Sequence, residues 1–377
     1  MFTVWKQLLF RIHGFIGITL GAVLAIVGLT GAILCFQDEL IALLNPELAH
    51  SQDSHSAPLP PSELIARLEE SSGRKVSSLW STGRVLFAPT PDHIAPIAQY
   101  VDRSTGQLYG RLTGQAFFEF TAQLHHHLAM GFAGRLLTRL GAIMLVVFVI
   151  SGLYLRWPRQ TLNWRVWLTL NASRKGRGFL REVHYVLGTW CALFYLLSAL
   201  TGLYWSIGVP HADALQLKGN AGLSGNYESL RHGRPALRTT ERATNNALPI
   251  DYTMLWTHLS RAAGPQLGEW NLRLPATPGQ PAMLFYLTST SANPSALSEV
   301  SVDTQTGQIK AHARYEDQPL VDRLLISNFA LHVGSYFGIA GRIALFVASA
   351  CMPLFFVTGW MLYLTRKYRK AKTALQP

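Results

Sequence analysis

Four long apolar stretches divide the chain, at about residues 12–36, 136–157, 183–207 and 338–364. Each is long enough to cross a hydrocarbon layer of about 30 Å, which takes roughly 20 helical residues. Between the first and second stretches the pattern changes. Pro61–Ser72 places Leu64, Ile65 and Leu68 at helical spacing on one face. Alternating, strand-like runs follow near Val76–Trp80, Val85–Ala88, Ile97–Asp102 and Gln107–Tyr109. Between the third and fourth stretches the order recurs. A helical run near Asp251–Ala262 precedes strand-like runs at Leu267–Leu274, Ala282–Thr288, Glu299–Asp303 and Gln308–Ala311. The chain therefore reads as span, small α+β domain, span, written twice.

The duplication is also legible residue by residue. Ile12–Gly17 reads IHGFIG and Val183–Gly188 reads VHYVLG; Thr30-Gly31 and Thr201-Gly202 each begin 17 residues after the histidine. LHHHLAMGFAGR (Leu124–Arg135) matches LHVGSYFGIAGR (Leu331–Arg342), and Ser151-Gly152 and Thr358-Gly359 follow at equal distances. The domains share a turn, in YVDRSTGQLYG (Tyr100–Gly110) and VSVDTQTGQIKA (Val300–Ala311). D-x-x-T-G-Q between alternating apolar runs calls for a glycine with positive φ.

Charge orients the spans. Of the 21 acidic residues, ten lie between Asp38 and Glu119, ten between Asp213 and Asp322, and one is Glu182. Bases fill the other segments: Lys6 and Arg11, then Arg156 through Arg181, then Arg366 through Lys372. The positive-inside rule puts these in the cytoplasm, with both termini, and the two large loops on the opposite side. The net charge of +12 then reads as topology plus contact with anionic lipid, and nucleic-acid binding is excluded as the leading reading. The first stretch exceeds a signal-peptide core and reads as a retained span. Two repeats that start and end on one side are parallel. A pseudo-two-fold axis along the membrane normal then sets equivalent residues at one depth.

The expected fold is a mainly α membrane protein, with four transmembrane helices as two parallel pseudo-symmetric repeats and two small α+β outer domains. The segments are helix one at 1–36, the first outer domain at 37–123, helix two at 124–157 and a cytoplasmic connection at 158–182. Helix three at 183–207, the second outer domain at 208–330, helix four at 331–364 and a tail at 365–377 complete it. Within the second domain, Gln216–Leu248 has little periodicity and reads as a surface excursion. No G-x-G-x-x-G fingerprint occurs in the cytoplasmic segments, and no broken helix is expected in both halves. Cys35, Cys191 and Cys351 fall in spans, so no disulfide framework exists and they read as buried inert thiols.

The histidines carry the chemistry. Depth pairs His13 with His184 near the cytoplasmic side and His125 with His332 near the outer side. Two axial imidazoles facing each other form a low-spin b-type haem site. Without C-x-x-C-H, two haems b would be held non-covalently. Interfacial histidines, a proton path and a non-haem metal site stand as alternatives. Repeat register selects His125 over His126 and His127, while His211, His232, His258 and His312 read as solvent-facing. Gly17, Gly21, Gly28 and Gly31 line the His13 face of helix one, and Gly188, Ala192, Ala199 and Gly202 that of helix three. Such stripes either admit a flat macrocycle or pack helices closely. Arg11, Arg181, Arg135 and Arg342 are candidates for haem propionates; topology alone also explains Arg11 and Arg181.

These motifs, in this order and twice over, resemble the PepSY-associated transmembrane family along nearly the whole chain. In size and layout the chain looks like its ferrisiderophore reductase type, as in ferrioxamine B reduction. The resemblance implies a bacterial inner-membrane protein with PepSY-like periplasmic domains, His13, His125, His184 and His332 as haem ligands, and a ferric siderophore, of the hydroxamate class, as electron acceptor. The donor would be membrane quinol or a cytoplasmic flavoprotein. No catalytic side chain is assigned. A quinone-linked carrier, a siderophore or iron transporter, and a non-redox PepSY regulator are the competing readings.

Overall fold

The computed structural model describes residues 2–48, 57–88, 97–158, 162–171, 173–207, 250–275 and 280–374. Gln216–Leu248, His211, His232 and Arg159 lie outside the described residues. The chain divides into two units. A helical unit takes 1–36, 118–209 and 331–377; a sheet unit takes 37–117 and 210–330.

The helical unit is built on α1 (Phe2–Leu34), α5 (Gly131–Arg156), α7 (Arg177–Ile207) and the pair α11 (Gly338–Ala350) and α12 (Met352–Ala374). Four stretches in them are long and apolar enough to cross a membrane, and the chain is a multi-pass membrane protein. Each of α1 and α7 packs principally against α5 and α12. Residues from α1 and α7 therefore meet across the middle of the bundle. Leu24, Leu145, Cys191, Tyr195, Ala199, Ala348 and Met352 form the buried centre. Arg156, at the end of α5, hydrogen-bonds the Tyr185 carbonyl, the Thr189 hydroxyl and the Val166 carbonyl. That holds the short α6 (Trp164–Leu168) of the connecting segment against α7.

Two expectations need correction. Helix two does not run unbroken over 124–157. A helix α4 (Gln115–His127) ends before α5 begins at Gly131, with Leu128 and Ala129 between them at φ 52 and 54. Helix four is broken at the matching place, between α10 (Asn328–Val333) and α11, by Gly334 at φ 82 and Gly338 at φ 66. A broken helix thus does occur in both halves. Left-handed backbone at non-glycine residues is costly and gathers at functional sites. Here each break directly follows a paired histidine and lies at one end of its span, whereas carrier sites use breaks near the midplane.

The sheet unit differs from two separate modules. Its strands are β1 (Val76–Trp80), β2 (Arg84–Phe87), β3 (Ile97–Tyr100), β4 (Leu267–Arg273), β5 (Ala282–Thr288), β6 (Ser298–Val302) and β7 (Ile309–Ala313). They form one antiparallel sheet in the order β3-β2-β1-β4-β5-β6-β7. The first strands of the two loops, β1 and β4, pair with Leu79 opposite Leu272. Joining them removes two unpaired edges that would otherwise face solvent, a long-range pairing that local periodicity does not reveal. Helices α3 (Pro61–Ser72) and α8 (Tyr252–Ala263) pack on one face. Leu64, Ile65 and Leu68 of α3 and Leu255 and Leu259 of α8 are fully or nearly fully buried there with Leu79, Phe87 and Leu284. Gln107–Tyr109 forms only an isolated bridge, Val101 to Leu108, rather than a strand.

Both turns form as expected. Asp102 accepts from the amides of Ser104 and Thr105 at 2.8 and 3.1 Å, and Asp303 from those of Gln305 and Thr306 at 2.9 and 3.0 Å. A hydrogen bond from Lys310, then those from Thr306 and Gln305, hold the Asp303 carboxyl well below the usual carboxylate range. The stability this gives is present above about pH 4 and lost as pH falls through the lowered pKa. Gly106 and Gly307 have φ of 81 and 70. A Cβ at Gly307 would also run into the Met254 sulfur on α8. Gly307→Ala is therefore expected to destabilise the sheet unit by roughly 1–3 kcal/mol, read as a lower melting temperature; Gly73→Ala, strained in φ but with open space around it, should cost less.

Neither described lone histidine of the sheet unit fully faces solvent. His312 shares a 2.8 Å hydrogen bond with the Tyr286 hydroxyl, and His258 is half-buried against Gly307.

Candidate functional site

Each paired histidine is held through the same ring nitrogen by a hydroxyl on a neighbouring helix. His13 Nδ1 lies 2.8 Å from Ser151 Oγ, and His184 Nδ1 lies 2.8 Å from Thr358 Oγ1. His125 Nδ1 lies 3.3 Å from Thr30 Oγ1 and 2.9 Å from the Val27 carbonyl oxygen. His332 Nδ1 lies 2.9 Å from Thr201 Oγ1. Within each half of the chain the first helix thus receives its hydroxyl from the second and gives one back.

The hydroxyls favour one tautomer. A serine or threonine hydroxyl has one proton to give. Ser151 donates it to the Val147 carbonyl, Thr358 to Leu354, Thr30 to Ile26 and Thr201 to Leu197, each a helical turn back. Each hydroxyl therefore accepts from Nδ1–H, and at His125 the Val27 carbonyl makes the same demand. With the proton on Nδ1, the lone pair is on Nε2. An imidazole in that form can offer Nε2 to a metal while the hydroxyl on Nδ1 keeps the ring from turning.

The rings meet in pairs. His13 and His184 have centroids 6.4 Å apart with planes at 75°; His125 and His332 are 6.2 Å apart at 70°. A metal–imidazole bond of about 2 Å, with the ring centre roughly 1 Å beyond the nitrogen, puts two rings sharing one metal about 6 Å apart. Among the described residues no cluster of three or more His, Cys, Asp or Glu could hold a bare metal ion. Two protein ligands suit a metal that brings its other ligands with it, as haem iron does. The observed spacing and tautomers fit that group.

Aromatic and glycine positions complete the setting. Phe148 stands edge-on to His13 at 5.0 Å, and Phe355 to His184 at 5.4 Å. Gly31 and Gly202 receive the edges of the other pair: an added Cβ would lie 2.9 Å from His125 Cε1 and 3.3 Å from His332 Cε1. The rest of the stripe meets protein. Gly17 faces Phe148, Gly21 faces Phe356, and Gly28 faces Met352 at 2.5 Å. Those glycines pack helices; Gly31 and Gly202 seat histidines.

The arginines divide similarly. Arg11 and Arg181 are exposed. Arg342 is half-buried, donates to the Cys35 carbonyl at the end of α1 and lies 4.7 Å over Phe36, an interaction that satisfies an orphan carbonyl of a helix C-terminus. Arg135, in the first turn of α5, is close enough to His126 to act on it electrostatically. The four dipeptides Thr30-Gly31, Ser151-Gly152, Thr201-Gly202 and Thr358-Gly359 carry no role in the sequence pattern by themselves. Their fixed distance behind each histidine was the available signal: the hydroxyl orients one imidazole and the following glycine makes room for it.

Two facing histidine pairs, each ring held by a hydroxyl, stand at separate levels of a four-span helical unit. Residues 10–366 match the PepSY-associated TM region, and the chain belongs to that family. No curated protein matches it.

Proposed function

We propose that the chain is an inner-membrane di-haem b protein that carries electrons across the membrane and reduces the Fe(III) of a ferric siderophore in the periplasm. The observation that carries this reading is the pair of imidazole pairs, each ring tautomerically set to coordinate through Nε2. His13 and His184 would hold one haem and His125 and His332 the other. Haem iron with two imidazole ligands supplies one-electron chemistry. The chain's own residues do the positioning. Ser151, Thr358, Thr30 and Thr201 fix the rings, and the buried centre between the pairs keeps water out. His13 and Thr30 lie 17 residues apart on one helix, so the two levels are separated by about 25 Å at a rise of 1.5 Å per residue. That distance is most of the roughly 30 Å hydrocarbon thickness.

The sidedness follows from charge. With both termini cytoplasmic, the His13/His184 pair lies towards the supply of electrons and the His125/His332 pair towards the periplasm. Siderophores hold Fe(III) far more tightly than Fe(II), so one electron releases the metal. Arg135 and Arg342 are the candidates for propionate contacts, Arg342 also serving the Cys35 carbonyl. The siderophore assignment rests on likeness to the family's reductase type.

Purified protein from haem-replete cells should give about two haems per chain by pyridine haemochrome. Reduced protein, freed of dithionite, should be reoxidised anaerobically by a ferric hydroxamate, with Fe(II) trapped by a chromogenic chelator. A colourless protein overturns the haem reading. A red protein that quinone reoxidises and ferric chelate does not is a quinone-linked carrier.

A further inference from the structure

The sheet unit covers its large apolar side chains almost everywhere except next to the spans in sequence. Among the described residues eight are exposed in it, and seven of the eight stand on three helices; the other is Ile309 on β7. On α2 (Gln37–Leu44), which starts three residues after α1 ends, they are Leu40, Leu43 and Leu44. On α9 (Leu320–Ile326), which runs through Ser327 into α10, they are Leu320, Val321 and Leu324. On α4 it is Phe117, and Phe120 one turn further on is exposed as well. At about 100° per residue, each set falls within an arc of about 100° or less. The exposures are large: 76 % at Leu43, 68 % at Leu320 and 56 % at Phe117.

The duplication repeats the pattern. Phe117 matches Leu324, Met130 matches Phe337 and Phe132 matches Ile339, and all six are exposed. Phe132 and Ile339 lie on the crossing helices α5 and α11, where an exposed apolar side chain meets lipid. A water-facing surface rarely gathers apolar side chains this way, and where it does they mark an interaction face. The polar residues narrow the partner. Asp38, Glu39 and Asp322 stand in the first turns of α2 and α9, so these helices attract by apolar area and not by charge on an anionic surface.

We propose that α2, α4 and α9 lie in the membrane surface, their exposed apolar side chains sunk between headgroups and acyl chains at the His125/His332 end of the spans. A helix face of this kind reaches about 5–10 Å into that boundary, and the chain itself tethers each of these helices to a span. The helix breaks then have a purpose. His125 is carried by α4, five residues beyond Phe120. The left-handed residues after it let a helix lying in the surface give way to one that crosses. In the second half α10 and the glycines after His332 do the same. Lipid thereby fixes the depth of this histidine pair, whether or not haem is bound.

Wild-type protein in phosphatidylcholine vesicles is irradiated with a phosphatidylcholine that carries a diazirine near its headgroup, and labelled peptides are mapped by mass spectrometry. Peptides containing α2, α4 and α9 should take several-fold more label than the peptide containing Ile309, and as much as those containing Phe132 and Ile339. Salt should change little, because the contact is apolar. Spin labels give a second reading, in Leu43→Cys, Phe120→Cys and Val321→Cys. Ile309→Cys is the aqueous reference, and the wild type, whose Cys35 and Cys191 are buried, is the blank. Oxygen should relax the first three labels more than a nickel chelate does, and the reverse should hold at Ile309. Lipid label on the three helices no higher than at Ile309, or relaxation like that of Ile309, overturns the proposal. So do chain-to-chain cross-links through these faces without lipid label, which would give them to a second copy.

Discussion

His13→Ala and His184→Ala are each expected to remove one haem, and the same one. Their rings face each other 6.4 Å apart from two helices that each pack against α5 and α12, so either loss would leave a haem iron there with one protein ligand. His125→Ala and His332→Ala, 6.2 Å apart, should each remove the other haem. Pyridine haemochrome should fall from about two per chain to about one in all four. Pairs of substitutions sharpen the test. Two residues that serve one site are not additive. His13→Ala with His184→Ala should therefore keep one haem, as the single variants do, whereas His13→Ala with His332→Ala should keep none. If the first combination is colourless and the second retains one haem, His13 shares its haem with His332 and the pairing by depth is wrong.

Much of this arrangement was legible in the sequence because it is written twice. Apolar length gave the four spans, and helical spacing gave Pro61–Ser72 to the residue. Doubled motifs selected His125 from three adjacent histidines, and His125 is the one whose ring stands 6.2 Å from His332. The D-x-x-T-G-Q turns were readable because aspartate and glycine each answer a local backbone need, an acceptor for two amides and a positive φ.

What stayed hidden is long-range or depends on which way a side chain turns. Nothing local in Val76–Trp80 says that its partner is Leu267–Arg273. The helix breaks escaped because hydropathy does not register φ. Leu128 and Ala129 are ordinary helix formers, held left-handed by the tight return of the chain, where Gly134 lies against the His127 carbonyl so closely that a Cβ would not fit. Arg342 read as a propionate partner because charge near a span needs compensation. The Cys35 carbonyl supplies part of it from a residue 307 positions away. The glycine stripe was legible as a face, but not which member does what: only the last glycine in each helix touches a histidine.

That division predicts the second large effect. Gly31→Val should empty the His125/His332 site without unfolding the helical unit. The Cβ alone would stand 2.9 Å from His125 Cε1, and the valine methyls reach further, so the ring must swing away from Val27 and Thr30. An unoriented ligand loses roughly 10- to 100-fold in affinity, and here the ring is also displaced. In a helix interior valine is no worse a helix former than glycine, so the span itself should persist. Gly202→Val should act on the same haem through His332, more weakly at 3.3 Å. Gly28→Val is the contrast. It meets Met352 and the Ser349 carbonyl at 2.5 and 2.9 Å, so it should lower the melting temperature of the whole protein and lose both haems together. Gly14→Ala, with nothing within 4 Å, should change neither. Haem content and thermal unfolding measured on the four variants decide the matter. If Gly31→Val keeps both haems, or loses them only in step with its melting temperature, Gly31 is a packing residue like the rest of its stripe.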